Sequence, residues 1–137
     1  MKILIIGGGG REHALAWKIK QSPLVTKIFV APGNAGMQPM AECVDIAVDA
    51  FDDLLQFAID QKINLTIVGP ELPLARGIVD LFQAAGLKIF GPNQAAAQLE
   101  ASKVFAKKTM AENNVPTAAF QVFDNVNQAK CYIIERD

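Results

Sequence analysis

The chain has 137 residues and a formal net charge of −1, from 13 basic and 14 acidic residues. Hydrophobic residues make up 51% of it and charged residues 20%, a balance that supports a folded core and excludes a disordered chain. The length is that of one ordinary domain. Because the charges nearly cancel and form no block of one sign, they give no support to a nucleic-acid partner.

Cysteine usage and hydropathy exclude further classes of protein. Cys43 and Cys131 stand far apart and His13 is the single histidine, so neither a disulfide framework nor a zinc site is indicated. The apolar run at residues 2–6 ends in glycines and is too short for a signal peptide or a membrane span. We therefore expect a cytoplasmic protein without a membrane partner.

Apolar runs alternate with helical spacings over the first part of the chain. Strands are predicted at residues 2–6, 27–31, 44–48, 64–68 and 87–90. Helices are predicted at residues 11–21, 52–62 and 72–85. Alternation of this kind with short connections predicts an α/β fold, a doubly wound parallel sheet.

The pattern changes after residue 93. We predict a helix over residues 94–113, an extended strand over 117–123 and a last helix over 127–135. The predicted organisation is therefore an α/β domain at residues 1–93, followed by a connecting segment with further helices at residues 94–137.

Glycine-rich or proline-glycine loops follow four of the predicted strands, at residues 7–10, 32–36, 69–71 and 91–93. In a doubly wound sheet, ligands bind beyond the carboxyl ends of the strands. All four loops are expected at that edge, which is therefore the predicted ligand site.

The first of these loops is Gly7, Gly8, Gly9 and Gly10, between a strand and a helix. Glycines allow the backbone to approach an anion, and the helix N-terminus offers N–H groups and a partial positive charge. Arg11 could add a bidentate contact to a phosphate. A phosphate or carboxylate site is the favoured interpretation, and a tight turn without a ligand is the alternative.

A dinucleotide-binding loop is the main rival interpretation. Its third glycine would fall at position 12 or 13, where the chain has Glu12 and His13. The second strand should end in an acidic residue that holds the ribose hydroxyls, but here it ends in Ala31 and Pro32. Both departures count against NAD.

Four polar residues lie near these loops, and three of them have two interpretations each. Glu12 is as readily explained by the helix dipole as by a ligand, and His13 either contacts a ligand or supports the glycine loop. Asn34 can donate and accept hydrogen bonds in the second loop. Glu71 either complements a helix dipole or faces an amine or hydroxyl of a substrate.

Three lysines lie on the predicted helix after residue 93. Lys103 and Lys107 are four residues apart and share a helical face. Composition alone favours a solvated charged face for them, and Lys107 and Lys108 fit that interpretation.

Five segments in order carry a resemblance over nearly the whole chain: GGGREHALAWK, APGNAG, VGPELPLARGIVD, IFGPNQAAAQLEASKVFAKKTM and NVPTAAFQVF. Each is modest alone, but the ordered set is similar to the start of the phosphoribosylamine–glycine ligase family, within the ATP-grasp superfamily. The resemblance implies a Rossmann-like N-terminal domain (a pre-ATP-grasp domain) with the start of the ATP-grasp region after it.

The resemblance also implies an activity. Family members join phosphoribosylamine to glycine in de novo purine (IMP) biosynthesis, convert ATP to ADP and phosphate through a glycyl phosphate, and need Mg²⁺ or Mn²⁺. It implies a monomer that acts on small molecules. The alternative is a stand-alone phosphate- or nucleotide-binding module with a Rossmann-like fold.

Site residues follow from the matching motifs. The resemblance assigns Lys103 to the phosphates of the nucleotide. It assigns to the phosphoribosylamine cleft the residues Gly8, Gly9, Gly10, Arg11, Asn34 and Glu71. Members of the family are about three times as long, as expected of a multi-domain enzyme. The segment therefore lacks the family's second nucleotide lysine, lid and metal-binding carboxylates, and we expect it to be inactive alone.

Overall fold

A computed structural model describes residues 1–135 and divides the chain into two compact units, residues 1–101 and the residues from 102 onward. The first unit contains the sheet. Its strands are β1 (Lys2–Gly7), β2 (Lys27–Pro32), β3 (Glu42–Cys43), β4 (Leu65–Val68) and β5 (Ile89–Phe90). Its helices are α1 (Gly10–Ile19), α2 (Phe51–Asp60), α3 (Glu71–Ala75), α4 (Ile78–Ala84) and α5 (Gln94–Ala101), with a 3₁₀ turn at Ala35–Met37.

All strand pairs in the sheet are parallel, and the strand order is β3-β2-β1-β4-β5. β1 is the central strand, with Gly7 opposite Pro32 on one side and Ile6 opposite Val68 on the other. The chain builds outward from β1 through β2 and β3, then returns to the other side of β1 with β4. This reversal makes β1 and β4 the topological switch point of a doubly wound sheet, which confirms the predicted fold class.

The residues of β1 explain why both faces of the sheet are covered. Side chains alternate along a strand, and all of those from Ile3 to Ile6 are buried. Leu4 and Ile6 belong to a cluster that includes residues of α2, α3, α4 and α5. Ile3 and Ile5 belong to a second cluster, with Ala16 of α1 among its members. A strand buried on both faces is what the continuous apolar run predicts.

The third strand is shorter and earlier than predicted. β3 covers only Glu42 and Cys43, and the predicted strand at residues 44–48 is wrong. The backbone N–H of Val44 still donates to the carbonyl of Val30, but the N–H of Ile46 turns back to the carbonyl of Val44. The apolar residues 44, 46 and 48 pack against the core from an irregular segment. Their spacing of two residues is the same as that of a strand, which explains the wrong prediction.

The predicted helix at residues 72–85 consists of two helices. α3 ends before Arg76, and Gly77 has a positive φ of 88°. Its carbonyl accepts from the N–H of Leu81, in the first turn of α4. Leu74 and Ile78 lie on either side of the break and belong to the same core cluster, so the apolar spacing continues across it.

α5 belongs to the first unit, so the structural boundary lies after Ala101 rather than after residue 93. The backbone N–H of Gln94 donates to a carboxylate oxygen of Asp80 at 2.8 Å, and Ala97 is buried in the core cluster. These contacts attach the start of α5 to α4 and extend the unit beyond the last strand.

The second unit contains α6 (Lys103–Glu112) and α7 (Val126–Ile134). The helix predicted over residues 94–113 is interrupted at Ser102, whose Oγ accepts from the N–H of Phe105 at 3.2 Å as an N-cap of α6. The strand predicted at residues 117–123 is wrong, because that segment has no regular secondary structure. Residues 1–135 contain no helix long and apolar enough to span a bilayer.

Candidate functional site

The carboxyl ends of β1 and β4 bring two of the predicted loops together. The glycine loop, Gly7 to Gly10, follows β1 and leads directly into α1. Gly69 follows β4, and its backbone N–H donates to the carbonyl of Ile6 at 3.0 Å, so the GPE loop (residues 69–71) is held against β1. This is the position at which doubly wound sheets bind ligands.

The N-terminus of α1 supplies donors at this edge. α1 begins at Gly10 with Gly9 as its N-cap, and the first N–H groups of a helix have no acceptor within the helix. Gly8, Gly10 and Arg11 border or form this turn and are half-buried or exposed. The turn can therefore present N–H donors and a partial positive charge to an anion.

The second loop, residues 32–36, is tied to the glycine loop. The N–H of Gly33 donates to the carbonyl of Gly7 at 3.2 Å. A Cβ built on Gly8 would lie 2.5 Å from the carbonyl oxygen of Gly33, so a side chain at position 8 would push the loops apart. Gly8 is therefore required by loop packing, in addition to the ligand-binding role that its motif predicts.

Asn34 makes the contacts that hold this second loop. Its Nδ2 donates to the carbonyl of Gly8 at 2.8 Å, and its Oδ1 accepts from the N–H of Gly36 at 2.8 Å. The structure thus places Asn34 beside the glycine loop, with both ends of its amide joined to backbone groups. Asn34 therefore holds the glycine loop in place through its hydrogen bond to the carbonyl of Gly8.

Arg11 and Glu71 meet across the switch point although 60 residues separate them in sequence. Arg11 Nη2 donates to Glu71 Oε2 at 3.1 Å, and both side chains are exposed, at 65% and 58%. The site therefore presents a guanidinium and a carboxylate side by side, next to the helix N-terminus. Exposed pairs of this kind contribute little to folding stability because solvent and salt screen them, so the pair matters mainly for the groups it presents to a ligand.

The pKa of the Glu71 carboxyl is held below its ordinary value. The largest cause is a hydrogen bond from its own backbone N–H, followed by the hydrogen bond and the charge of Arg11. A lowered pKa means that this interaction stabilises the folded state above the ordinary pKa and is lost as the pH falls through the lowered one. At neutral pH the site therefore holds an ionised Glu71.

A carboxyl titration followed by ¹³C NMR tests this environment. The midpoint for Glu71 is expected below 4.5, the ordinary value, and the Arg11→Ala substitution is expected to move it upward without fully restoring it, because the backbone hydrogen bond remains. A midpoint at or above 4.5 in the unsubstituted chain would contradict the pairing.

Glu12 is the residue whose place in the site the sequence interpretation missed. The sequence leaves Glu12 open between a helix-dipole role and a ligand contact, but it is buried, at 3% exposure, and its Oε2 accepts from the N–H of Gly9 at 2.6 Å. The signal was available, since an acidic residue three positions after an N-cap is the spacing of a capping box.

His13 is half-buried and supports the loops. A Cβ built on Gly36 would lie 3.0 Å from its Cε1, so the imidazole packs against the backbone of the second loop. This geometry favours the supporting interpretation of His13 over a direct ligand contact.

Lys103 belongs to the second unit, at the first position of α6. It lines a pocket of about 170 Å³ with five residues of the same unit, Val104, Lys107, Phe120, Gln121 and Val122. Within residues 102–135 its ammonium makes no hydrogen bond or ion pair. An ammonium without a partner can bind an anionic group such as a phosphate.

Lys107 departs from the solvated role predicted for it. Its Nζ donates to Thr117 Oγ1 at 2.6 Å and to the carbonyl of Ala118 at 3.0 Å, and it lies 5.7 Å from the centre of the Phe120 ring. Lys107 therefore attaches the segment after α6 to the helix and is not free for a ligand. Among the described residues, no group of three or more His, Cys, Asp or Glu could hold a metal ion.

Comparisons with known proteins give relatives along the whole chain. A phosphoribosylamine–glycine ligase of Escherichia coli strain K12 is 57% identical over 138 aligned residues, which cover 99% of this chain and 32% of the relative. One from Caldanaerobacter subterraneus subsp. tengcongensis is 53% identical over 135 residues, again 32% of the relative. The chain thus spans about a third of the length of these curated relatives.

Solved structures share the fold. A phosphoribosylamine–glycine ligase from Thermotoga maritima has a TM-score of 0.71 and 24% identity, covering 98% of this chain and 30% of that one. The biotin carboxylase domain of the Hydrogenobacter thermophilus 2-oxoglutarate carboxylase, crystallised with MgADP and bicarbonate, has a TM-score of 0.71 and 17% identity, covering 98% and 32%. At these identities the likeness concerns the fold alone.

A family model of the phosphoribosylglycinamide synthetase N domain matches residues 1–100 of the chain. The matched range contains the sheet, the glycine loop, Asn34 and the Arg11–Glu71 pair. Because it covers well over half of the chain, the chain belongs to the phosphoribosylglycinamide synthetase family and carries its N domain.

Proposed function

We propose that this chain forms the substrate-binding N-terminal part of a phosphoribosylamine–glycine ligase of de novo purine (IMP) biosynthesis. Family membership supports the reaction class. The observation that carries the proposal is the Arg11–Glu71 pair at 3.1 Å, placed beside the N-terminus of α1. The site offers a cation and N–H donors on one side and a carboxylate on the other, which suits a substrate with a phosphate and an amine.

The proposed reaction has two steps. The carboxylate of glycine attacks the terminal phosphorus of ATP, giving glycyl phosphate and ADP. The amine of phosphoribosylamine then attacks the glycyl carbonyl, displaces inorganic phosphate and loses a proton, giving glycinamide ribonucleotide. Because phosphoryl transfer depends mainly on position and charge neutralisation, the residues of this chain contribute by holding the reactants.

The first unit would hold the ribose phosphate. The N–H groups of Gly8 and Gly10 and the guanidinium of Arg11 are proposed to bind its phosphate, while Gly9 shapes the loop with its N–H held by Glu12 Oε2. When the phosphate engages Arg11, the ionised carboxylate of Glu71 is released from its partner and can accept a hydrogen bond from the amine or a ribose hydroxyl. Asn34 is proposed to act mainly by fixing the glycine loop, as its two backbone contacts indicate.

The second unit would contribute to the nucleotide site. The free ammonium of Lys103 and the adjoining pocket support a contact to the phosphates of ATP. ATP would enter with Mg²⁺ or Mn²⁺, which neutralises phosphate charge when bound. Residues 1–135 contain no carboxylate cluster for that ion, so we assign no step of the reaction to the metal here. We further infer a cytoplasmic, monomeric enzyme of small-molecule substrates.

A coupled assay on the full-length protein tests the proposed function. Stoichiometric formation of ADP and glycinamide ribonucleotide is expected when ATP, glycine and phosphoribosylamine are all present. Ribose 5-phosphate is the matched control, because it keeps the phosphate but lacks the amine and should give no amide product. Amide formation that does not depend on glycine, or none with all three substrates, would refute the proposal.

A further inference from the structure

Glu12 is a buried carboxylate for which a helix-dipole role gives no sufficient reason. It is 3% exposed, and its Oε1 has no hydrogen-bond partner among the described residues. The nearest cationic atom, Arg11 Nε, lies 3.9 Å from that oxygen. Burial of an incompletely paired carboxylate costs free energy, whereas an exposed one would complement the dipole equally well.

The burial of Glu12 results from its contact with the ends of both central strands. Its Oε2 accepts from the N–H of Gly9, in the glycine loop after β1. On the other side, a Cβ built on Gly69 would overlap Glu12 Oε1 and would lie 2.5 Å from Cδ. The backbone at Gly69 does not have a positive φ, so the nearest atoms that a side chain there would meet are those of the Glu12 side chain, which would have to shift to make room for it.

We infer that Glu12 is a positioning residue that sets the separation between the glycine loop and the GPE loop. Its side chain fills the space between Gly9 and Gly69. This placement also brings its carboxylate close to Arg11, which in turn contacts Glu71. Arg11 Nε lies 3.9 Å from Glu12 Oε1, while Arg11 Nη2 contacts Glu71 at 3.1 Å, so the guanidinium bridges both carboxylates. The substrate-binding consequence of this positioning rests on the proposed function.

Amide hydrogen exchange at Gly9 in the 137-residue chain tests the coupling directly. With Gly69→Ala, the new Cβ displaces the carboxylate, and the Gly9 N–H is expected to exchange about 10- to 100-fold faster, the range for loss of a hydrogen bond to a charged acceptor. Gly10→Ala is the steric control, because a Cβ there has no atom within 4 Å and should leave the Gly9 rate unchanged.

The double variant separates coupling from independent damage. Glu12→Ala removes the atoms that Ala at position 69 would meet, so Glu12→Ala with Gly69→Ala should exchange no faster at Gly9 than Glu12→Ala alone. If Gly69→Ala by itself does not fold, addition of Glu12→Ala is expected to restore folding. The inference would be overturned if the effects of the two substitutions on exchange multiply, or if the second substitution does not restore folding. It would also be overturned if the Gly9 amide is unprotected in the unsubstituted chain.

Kinetics of the full-length protein provide the functional readout. Glu12→Ala should raise KM for phosphoribosylamine about tenfold without changing kcat or KM for ATP, because a displaced loop weakens only the binding that the loop provides. Glu12→Gln, which keeps the shape and one acceptor oxygen, should recover most of the loss. If Glu12 and Gly69 are coupled in amide exchange but KM for phosphoribosylamine does not change, the positioning role for the substrate is overturned. The proposed function is tested separately, by the assay of ADP and glycinamide ribonucleotide formation.

Discussion

Substitution of Arg11 by alanine in the full-length protein is expected to raise KM for phosphoribosylamine about 10- to 100-fold, the range for loss of a charge-assisted hydrogen bond. KM for ATP should stay the same. The reason lies in the geometry, since Arg11 stands at the N-terminus of α1 and its guanidinium is exposed across the switch point. Steady-state kinetics with each substrate varied in turn measure both constants.

Arg76→Ala is the matched control for that experiment. Arg76 Nη1 lies 3.5 Å from a carboxylate oxygen of Asp49, and this pair is exposed to a similar degree, at 56% and 52%. Both substitutions remove an exposed ion pair from the first unit, and Arg11→Ala also removes the 3.9 Å contact of Arg11 Nε with Glu12 Oε1. Only Arg11→Ala should change KM for phosphoribosylamine. Equal changes in both KM values, or equal effects of the two substitutions, would count against the phosphate role of Arg11.

Lys103→Ala is expected to weaken ATP binding by the full-length protein about 10- to 100-fold, because it removes a point charge from the phosphates. The affinity for phosphoribosylamine should be unchanged. Equilibrium titration with ATP, followed by calorimetry, provides the measurement. The expectation depends on the free ammonium of Lys103 at the start of α6 and on the pocket beside it.

Two other lysines of α6 test the specificity of that result. Lys108 is exposed and does not line the pocket, so Lys108→Ala should leave ATP binding unchanged. Lys107→Ala should act instead on the stability of the second unit, since Lys107 attaches Thr117 and Ala118 to the helix. Unchanged ATP affinity in Lys103→Ala would remove Lys103 from the nucleotide site.

The parts of the fold that the sequence predicts are those in which local pattern and burial agree. The run at residues 2–6 is apolar at every position except Lys2, and β1 is buried on both faces. The strand predicted at residues 44–48 is wrong because alternating apolar residues at 44, 46 and 48 contact the core from an irregular segment that follows β3. The break at Gly77 was missed because helices on both sides of it face the same cluster, so the apolar spacing gives no sign of it.

Prediction of the site from sequence is also limited to features that a local pattern can indicate. The loops and the charged residues at their ends could be predicted, because each follows a strand of a parallel sheet. The pairing of Arg11 with Glu71 could not, since no local pattern links residues 60 positions apart. Glu12 was missed for a related reason: its spacing from Gly9 indicates a cap, but its burial depends on Gly69, which arrives with β4.

The most direct test of the central claim is a ¹⁵N NMR titration of the 137-residue chain with ribose 5-phosphate. We predict saturable shifts of the backbone amides from Gly8 to Arg11 and of Glu71, abolished by Arg11→Ala and retained in Arg76→Ala. This outcome would place the phosphorylated sugar at the switch point of the sheet. Saturable shifts confined to other residues, or an Arg11→Ala variant that binds as the unsubstituted chain does, would contradict the account.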